Sequence, residues 1–275
     1  MTTSTFAVRS LRPALLAATL LAGASAHALP INWTDWQRSI PTTAGFAAAG
    51  TITSGSSTVG VQYQNPNGIA FFQTGAAGEP DWWTQGFFGA QGRDPARSPY
   101  TSTGPTGVDN IPTGTDMIGL QFAGTQTLAF SEAIANPVFS YISLNANGYA
   151  FDQDFDILSF GDGTDNDIGF WGAGTSSKDI VDLGGGNFEY RLVGTGEPHG
   201  TIRFKGTFNA VSWRSLSNEF WNGFTVGIQG TAIQVCDIDP TTPGCRQNVP
   251  EPAMWALLSL GAFGIGYQRK QRDRS

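Results

Sequence analysis

Charge and histidine are scarce in this 275-residue chain. Asp, Glu, Lys and Arg together make up 13% of it, about half of the usual ~25%. The net charge is −7, so the basic footprint of a nucleic-acid binder is missing. Only His27 and His199 are present, which excludes a site built on several histidines. His199 falls in Gly196-Glu197-Pro198-His199-Gly200, a pattern that reads as a hairpin turn. A Ser–His–Asp arrangement would have to use it, and there is no G-x-S-x-G elbow. The P-loop, the dinucleotide fingerprint and H-E-x-x-H are missing too. Paired carboxylates alone can hydrolyse glycosides, but nothing in the pattern singles out a pair.

Glycine and aromatic residues are abundant instead, with 36 Gly, 19 Phe and 8 Trp. Short apolar runs recur between Gly, Asn, Asp and Pro, and no stretch between 29 and 249 holds a helical period. Strands are expected at Val59–Tyr63, Ile69–Gln73, Met117–Phe122, Gln126–Phe130 and Val138–Leu144. Others are expected at Phe155–Phe160, Phe188–Val193, Thr201–Phe204, Ala210–Trp213 and Phe224–Val235. Val59, Val61 and Tyr63 would share one face, and Phe188, Tyr190 and Leu192 another. About a dozen short strands with no internal repeat predict one all-β domain, an antiparallel β-sandwich of jelly-roll type over 29–235. Trp213 and Phe224 are expected in its core.

Two stretches of the body stand apart. Thr74–Asp116 is a long Gly- and Pro-rich loop that also holds Trp82, Trp83, Phe87, Phe88 and Tyr100. Those aromatics either pin the loop onto the sandwich or form a solvent-facing ligand platform. The second stretch is acidic. Read as one strand, Asp152, Asp154 and Asp156 project from one face while Phe151, Phe155 and Ile157 face the core. Asp162 and Asp165 follow in a Gly-rich turn. The cluster is either a solvated acidic face or an oxygen-only calcium site; the spacing is not that of an EF-hand.

Both ends read as addresses. Arg9 and Arg12, the apolar Ala14–Ala22 and the small residues up to Ala28 form a secretory signal over 1–28, with an uncleaved anchor as the alternative. After a linker at 236–249, Val249-Pro250-Glu251-Pro252 precedes an apolar run, Ala253–Tyr267, and then Arg269, Lys270, Arg272 and Arg274. As a helix the run would be ~22 Å long, a short span for a bilayer core. The basic cluster would hold the end on the cytoplasmic side. Over 250–275 this pattern resembles the PEP-CTERM sorting signal of Gram-negative bacteria, a tail also known as the ice-binding protein C-terminal domain. That second label describes the tail and not an activity of the body.

The resemblance implies recognition of Pro250, Glu251 and Pro252 by an exosortase-type enzyme. It further implies transient anchoring in the inner membrane, then a cell-surface or extracellular place, often beside exopolysaccharide and biofilm systems. Between 29 and 249 there are nine Lys and Arg against 20 Asp and Glu, a balance of −11. Cys236 and Cys245 fall in this exported part, where a short disulfide loop is the expected state. Zinc would need further Cys or His ligands. The expected protein is an exported, non-catalytic surface or matrix β-sandwich without a cofactor, apart from the calcium alternative. The alternatives are an exopolysaccharide-binding module and, third, a glycan-active hydrolase.

Overall fold

Along Val59, Val61 and Tyr63 every second residue is buried, while Gln62 between them and Thr58 and Gln64 on either side are exposed. That alternation builds a strand with one face on a core, and it recurs through the chain. The computed structural model describes residues 31–77, 79, 104–105, 112, 116–160 and 174–245. Its strands are β1 (Asn32–Trp33), β2 (Asp35–Ile40), β3 (Phe46–Ser54), β4 (Ser57–Asn65), β5 (Phe71–Thr74), β6 (Gly104–Pro105), β7 (Asp116–Leu120) and β8 (Gly124–Ala135). Then come β9 (Val138–Ile142), β10 (Gly148–Phe151), β11 (Phe155–Phe160), β12 (Gly174–Gly184), β13 (Asn187–Gly196), β14 (Gly200–Phe204), β15 (Thr207–Ser215) and β16 (Asn222–Ile228). One short helix, α1 (Ala232–Ile238), closes the described chain.

The strands form two antiparallel sheets packed as a sandwich. The first runs β5-β7-β16-β9-β14-β11-β6, with β1 also on β16; the second runs β12-β13-β10-β15-β8-β4-β3-β2. Between them lies an aromatic core. Phe139 of β9 stacks on Phe224 of β16 at 5.0 Å with an interplanar angle of 4°, and Trp213 of β15 meets both edge-on, 5.3 and 5.1 Å away. Such pairs contribute about 0.5–1.5 kcal/mol each beyond the area they bury. Tyr141 ties the layers together by donating to Ser176 Oγ of β12 at 2.7 Å. Tyr149 of β10 does the same to Asn222 of β16. All residues of β9 and β16 are buried, so neither strand shows an alternation of buried and exposed side chains.

Three expectations change. The run Phe224–Val235 is strand only to Ile228. Thr231 then caps α1, accepting from Gln234 N while Gln234 Oε1 accepts from Thr231 N, a reciprocal capping box that turns the backbone helical. The stretch around Asp152–Asp156 is not one strand, because β10 lies in the second sheet and β11 in the first, so the chain turns a corner at 152–154. Gly196–Gly200 is likewise no hairpin turn but a crossover from β13 to β14 between sheets, and His199 on it is buried.

Such crossovers recur, and they gather at the two ends of the sandwich. Residues 143–147, 197–199 and 216–221 connect the layers at one end; 136–137, 152–154 and 205–206 do so at the other.

Candidate functional site

The corner at 152–154 carries the acidic cluster, and its carboxylates are matched by the protein's own cations. Lys178 of β12 donates to Asp154 and, at 2.7 Å, to the Phe155 carbonyl. Lys205, on the neighbouring crossover, reaches Asp154 at 3.2 Å and Asp156 at 2.8 Å, and Arg203 lies 3.8 Å from Asp156. The Lys178 ammonium also sits 5.0 and 5.1 Å from the ring centres of Phe155 and Tyr190. Burial alone would raise the Asp154 carboxyl, but the hydrogen bonds and charges of Lys178 and Lys205 outweigh it and hold the group below its ordinary value. The hydrogen bond that Lys205 donates to Asp156 does most to raise the lysine above its ordinary value.

Asp152 leaves this group and lines a groove on the outer face of the second sheet. The three aspartates therefore do not share one face. The structure brings Asp154 and Asp156 together and separates Asp152, because the chain changes sheets between them. Asp162 and Asp165 lie outside the described residues. Among the described residues no group of three or more His, Cys, Asp or Glu could hold a metal ion.

At the opposite end three crossovers converge on two glutamates. Glu219 accepts from Asn145 N at 3.1 Å, from Asn147 Nδ2 at 3.4 Å and from Asn222 Nδ2 at 2.9 Å. Glu197 accepts from Ser143 Oγ at 2.9 Å. Burial pushes the Glu219 carboxyl up to about 7; its three donors oppose the rise and the charge of Glu197 adds to it. Burial likewise raises Glu197. The loop that supplies these donors is strained: Ser143 and Ala146 have φ of 56° and 49° without being glycine, which costs about 1–3 kcal/mol each.

The groove on the second sheet measures 210 Å3 and includes Thr125, Ala150, Asp152, Leu183, Phe188 and Arg214 among its walls. Ala150 pairs with Arg191 on one side and Arg214 on the other, so a small side chain separates two long ones across the sheet. Glu189 bridges them, accepting from Arg191 Nε at 2.6 Å and Arg214 Nη2 at 2.9 Å. Burial would raise Glu189, but the two guanidinium groups overcome it and lower the carboxyl. Phe188, beside them, is 43% exposed.

Cys236 on α1 and Cys245 are disulfide-bonded, with Cα atoms 5.4 Å apart. Trp213 and Phe224 are core residues. Trp82, Trp83, Phe87 and Phe88 lie outside the described residues, as do both terminal segments with Pro250, Glu251, Pro252, Arg269, Lys270, Arg272 and Arg274. No described helix is long and apolar enough to cross a membrane. Glu189, Glu197 and Glu219 were not distinguishable in the sequence: each is one glutamate in a turn or strand, and only the fold supplies its partners.

No curated protein and no solved structure matches the chain. Residues 248–270 match the family model of the PEP-CTERM protein-sorting motif, and that signal implies processing by an exosortase-type enzyme, export and sorting to the cell surface.

Proposed function

We propose that the body is a non-catalytic β-sandwich displayed on the cell surface or in the extracellular matrix after its C-terminal signal has been processed. The observation that supports a non-catalytic role is how the perturbed carboxylates are used. Asp154, Glu189, Glu197 and Glu219 each accept hydrogen bonds from other crossovers or strands of the same chain. Asp154, Glu197 and Glu219 hold the crossovers between the layers and Glu189 ties neighbouring strands of the second sheet, rather than wait for a substrate. Transient anchoring of the tail in the inner membrane belongs to the same proposal.

A second reading, binding of an exopolysaccharide, is favoured by the groove at Ala150. A half-exposed Phe188 ring beside Asp152 and Arg214 offers the apolar face and the hydrogen-bonding edge that a sugar ring matches. One experiment separates the readings. The exported protein is incubated with purified bacterial exopolysaccharide, and both retention and new reducing ends are measured. Retention without reducing ends, weakened by Phe188→Ala, supports the binding module. Neither signal leaves the structural role. New reducing ends that vanish in Glu219→Gln would make the protein a hydrolase and overturn the proposal.

A further inference from the structure

The second sheet ends in β12, whose outward edge has no partner strand among the described residues. β12 is 11 residues long, and among the described residues β13 is its only strand neighbour. The other outermost strands are shorter: β2 has 6 residues and a register shift, β5 has 4 and β6 has 2. A long free edge exposes a row of N–H and C=O groups, and proteins usually guard such edges with proline, bulges or lysine. β12 contains no proline, and its register shift comes only at the far end, between Asp182 and Gly184. Its one lysine does not block the edge: the Lys178 ammonium is held by Asp154 and by the Phe155 carbonyl, on the same side of the strand as Ile180, where it adds positive charge without covering the backbone. The edge also carries large apolar side chains, with Ile180 61% and Leu183 62% exposed beside Phe188 on β13.

We propose that β12 pairs antiparallel with β12 of a second copy of this chain, about a two-fold axis at Ile180. The charges select both the partner and the register. With Ile180 opposite its own copy, Lys178 faces Asp182, Asp179 faces Val181 and Ser177 faces Leu183. Asp182 then approaches the corner where Lys178, Lys205 and Arg203 outnumber Asp154 and Asp156 by one positive charge. Centring the axis on Asp179 sets that residue against itself. Centring it between Ile180 and Val181 sets Asp179 against Asp182. Like charges directly opposite are unfavourable, and opposite charges are worth about 0.2–1 kcal/mol per pair.

The pairing runs from Ser176 to Gly184 in each copy and forms about eight to ten backbone hydrogen bonds. It joins two eight-stranded sheets into one of sixteen strands. Ile180 meets Ile180 on the inner side, next to Tyr190, its cross-strand neighbour on β13. The outer face, with the groove at Ala150, stays open in both copies. Because the same strand is used by both copies, the contact closes as a dimer.

Cysteine cross-linking of the full exported chain tests the register. Cys236 and Cys245 are bonded to each other, so a single added cysteine reports only on its own position. Ile180→Cys is expected to give a disulfide-linked dimer on mild oxidation, seen on a non-reducing gel. Asp179→Cys, offset from its copy by the two-fold geometry, is expected to give at most a tenth as much. Adding Asp182→Lys to Ile180→Cys sets lysine against Lys178 twice per dimer and should lower the yield about tenfold. A monomer with Ile180→Cys, equal yields at 179 and 180, or a cross-link to a different protein would each overturn the proposal.

Discussion

The Glu219 carboxylate accepts the backbone N–H of Asn145, 74 positions earlier in the chain, at 3.1 Å. That bond joins the β15–β16 crossover to the β9–β10 crossover, and Asn147 and Asn222 complete the tie from either side. The strained residues Ser143 and Ala146 sit in the loop that this carboxylate holds. One acidic group therefore organises an entire end of the sandwich.

Its titration should be visible in stability. Burial raises the folded Glu219 carboxyl to about 7, from 4.5 in the free group. Below pH 4.5 both states hold the proton. Between 4.5 and 7 the unfolded chain releases it while the folded chain keeps it, so stability falls as pH rises through this window. At about 1.4 kcal/mol per unit the loss amounts to about 3 kcal/mol, and Glu197, also raised by burial, acts in the same direction. For a domain of this size that is a decrease in Tm of about 6–10 °C from pH 5 to pH 8. Glu219→Gln should flatten the profile over this range. A Tm that is constant or rises from pH 5 to pH 8 would contradict the assignment.

The acidic corner leads to a prediction opposite to that of a solvated acidic face. There, Asp→Asn should relieve repulsion and be neutral or slightly stabilising. Asp154 instead bridges Lys178 and Lys205, so Asp154→Asn strands a lysine that is packed between the Phe155 and Tyr190 rings. The carboxylate is partly exposed and screened, which limits the cost to about 1 kcal/mol, less at high salt. Asp152→Asn, away from these cations, should be near neutral. Urea titrations at low and high salt distinguish the two variants, and a stabilising Asp154→Asn would restore the solvated-face reading. Melting curves with calcium and with chelator should coincide.

Legibility in the sequence followed how much of the signal was local. Val59, Val61 and Tyr63 alternate because one face of β4 meets the core, and that period needs no knowledge of the partner strands. The edge strand β12 escaped notice for the opposite reason. With one neighbour and little to bury, Ser177, Asp179 and Asp182 carry no apolar period. The acidic spacing at 152, 154 and 156 fitted a strand, yet a period of two does not say whether the backbone continues or turns between layers. Glu219 had no local mark at all: its shift comes from crossovers brought together over more than 70 positions.

The disulfide should act locally. Its closed loop is short, and in the chain-entropy account such a loop is worth about 2–3 kcal/mol at most. It joins α1 to a turn whose Gly244 carbonyl accepts from Thr207 Oγ1 of β15 at 3.4 Å. The helix itself is docked by Gln234, which donates to the Ser54 carbonyl on the β3–β4 hairpin at 3.3 Å. Replacing Cys236 and Cys245 by serine should speed hydrogen exchange in residues 231–245 at least tenfold. Exchange in β9, β15 and β16 should be unchanged and Tm should move only slightly. A collapse of protection in β16 would show that the bridge holds the core and not just its end.

The sorting signal makes the most direct prediction about the life of the protein. Residues 248–270 match the PEP-CTERM motif, and because a proline disfavours helix at the residue before it, Pro250 and Pro252 are expected to favour an extended segment ahead of the apolar run at 253–267. A processing enzyme reads an extended segment more readily than a helix, and in the proposed anchoring the apolar run and the following Arg269, Lys270, Arg272 and Arg274 would set where the segment stops. The two steps are separable. Replacing Pro250, Glu251 and Pro252 together by alanine removes the recognition element and its extended backbone but leaves the run and the basic cluster intact. The variant should still cross the inner membrane and remain attached to it. Its sandwich should melt as the parent does, because the substitutions lie beyond Cys245. Mass spectrometry should find the Arg- and Lys-rich tail retained, whereas the parent recovered from the cell surface should lack it. If the tail is removed from the variant as completely as from the parent, processing does not depend on these three residues, and the exosortase assignment for this chain fails.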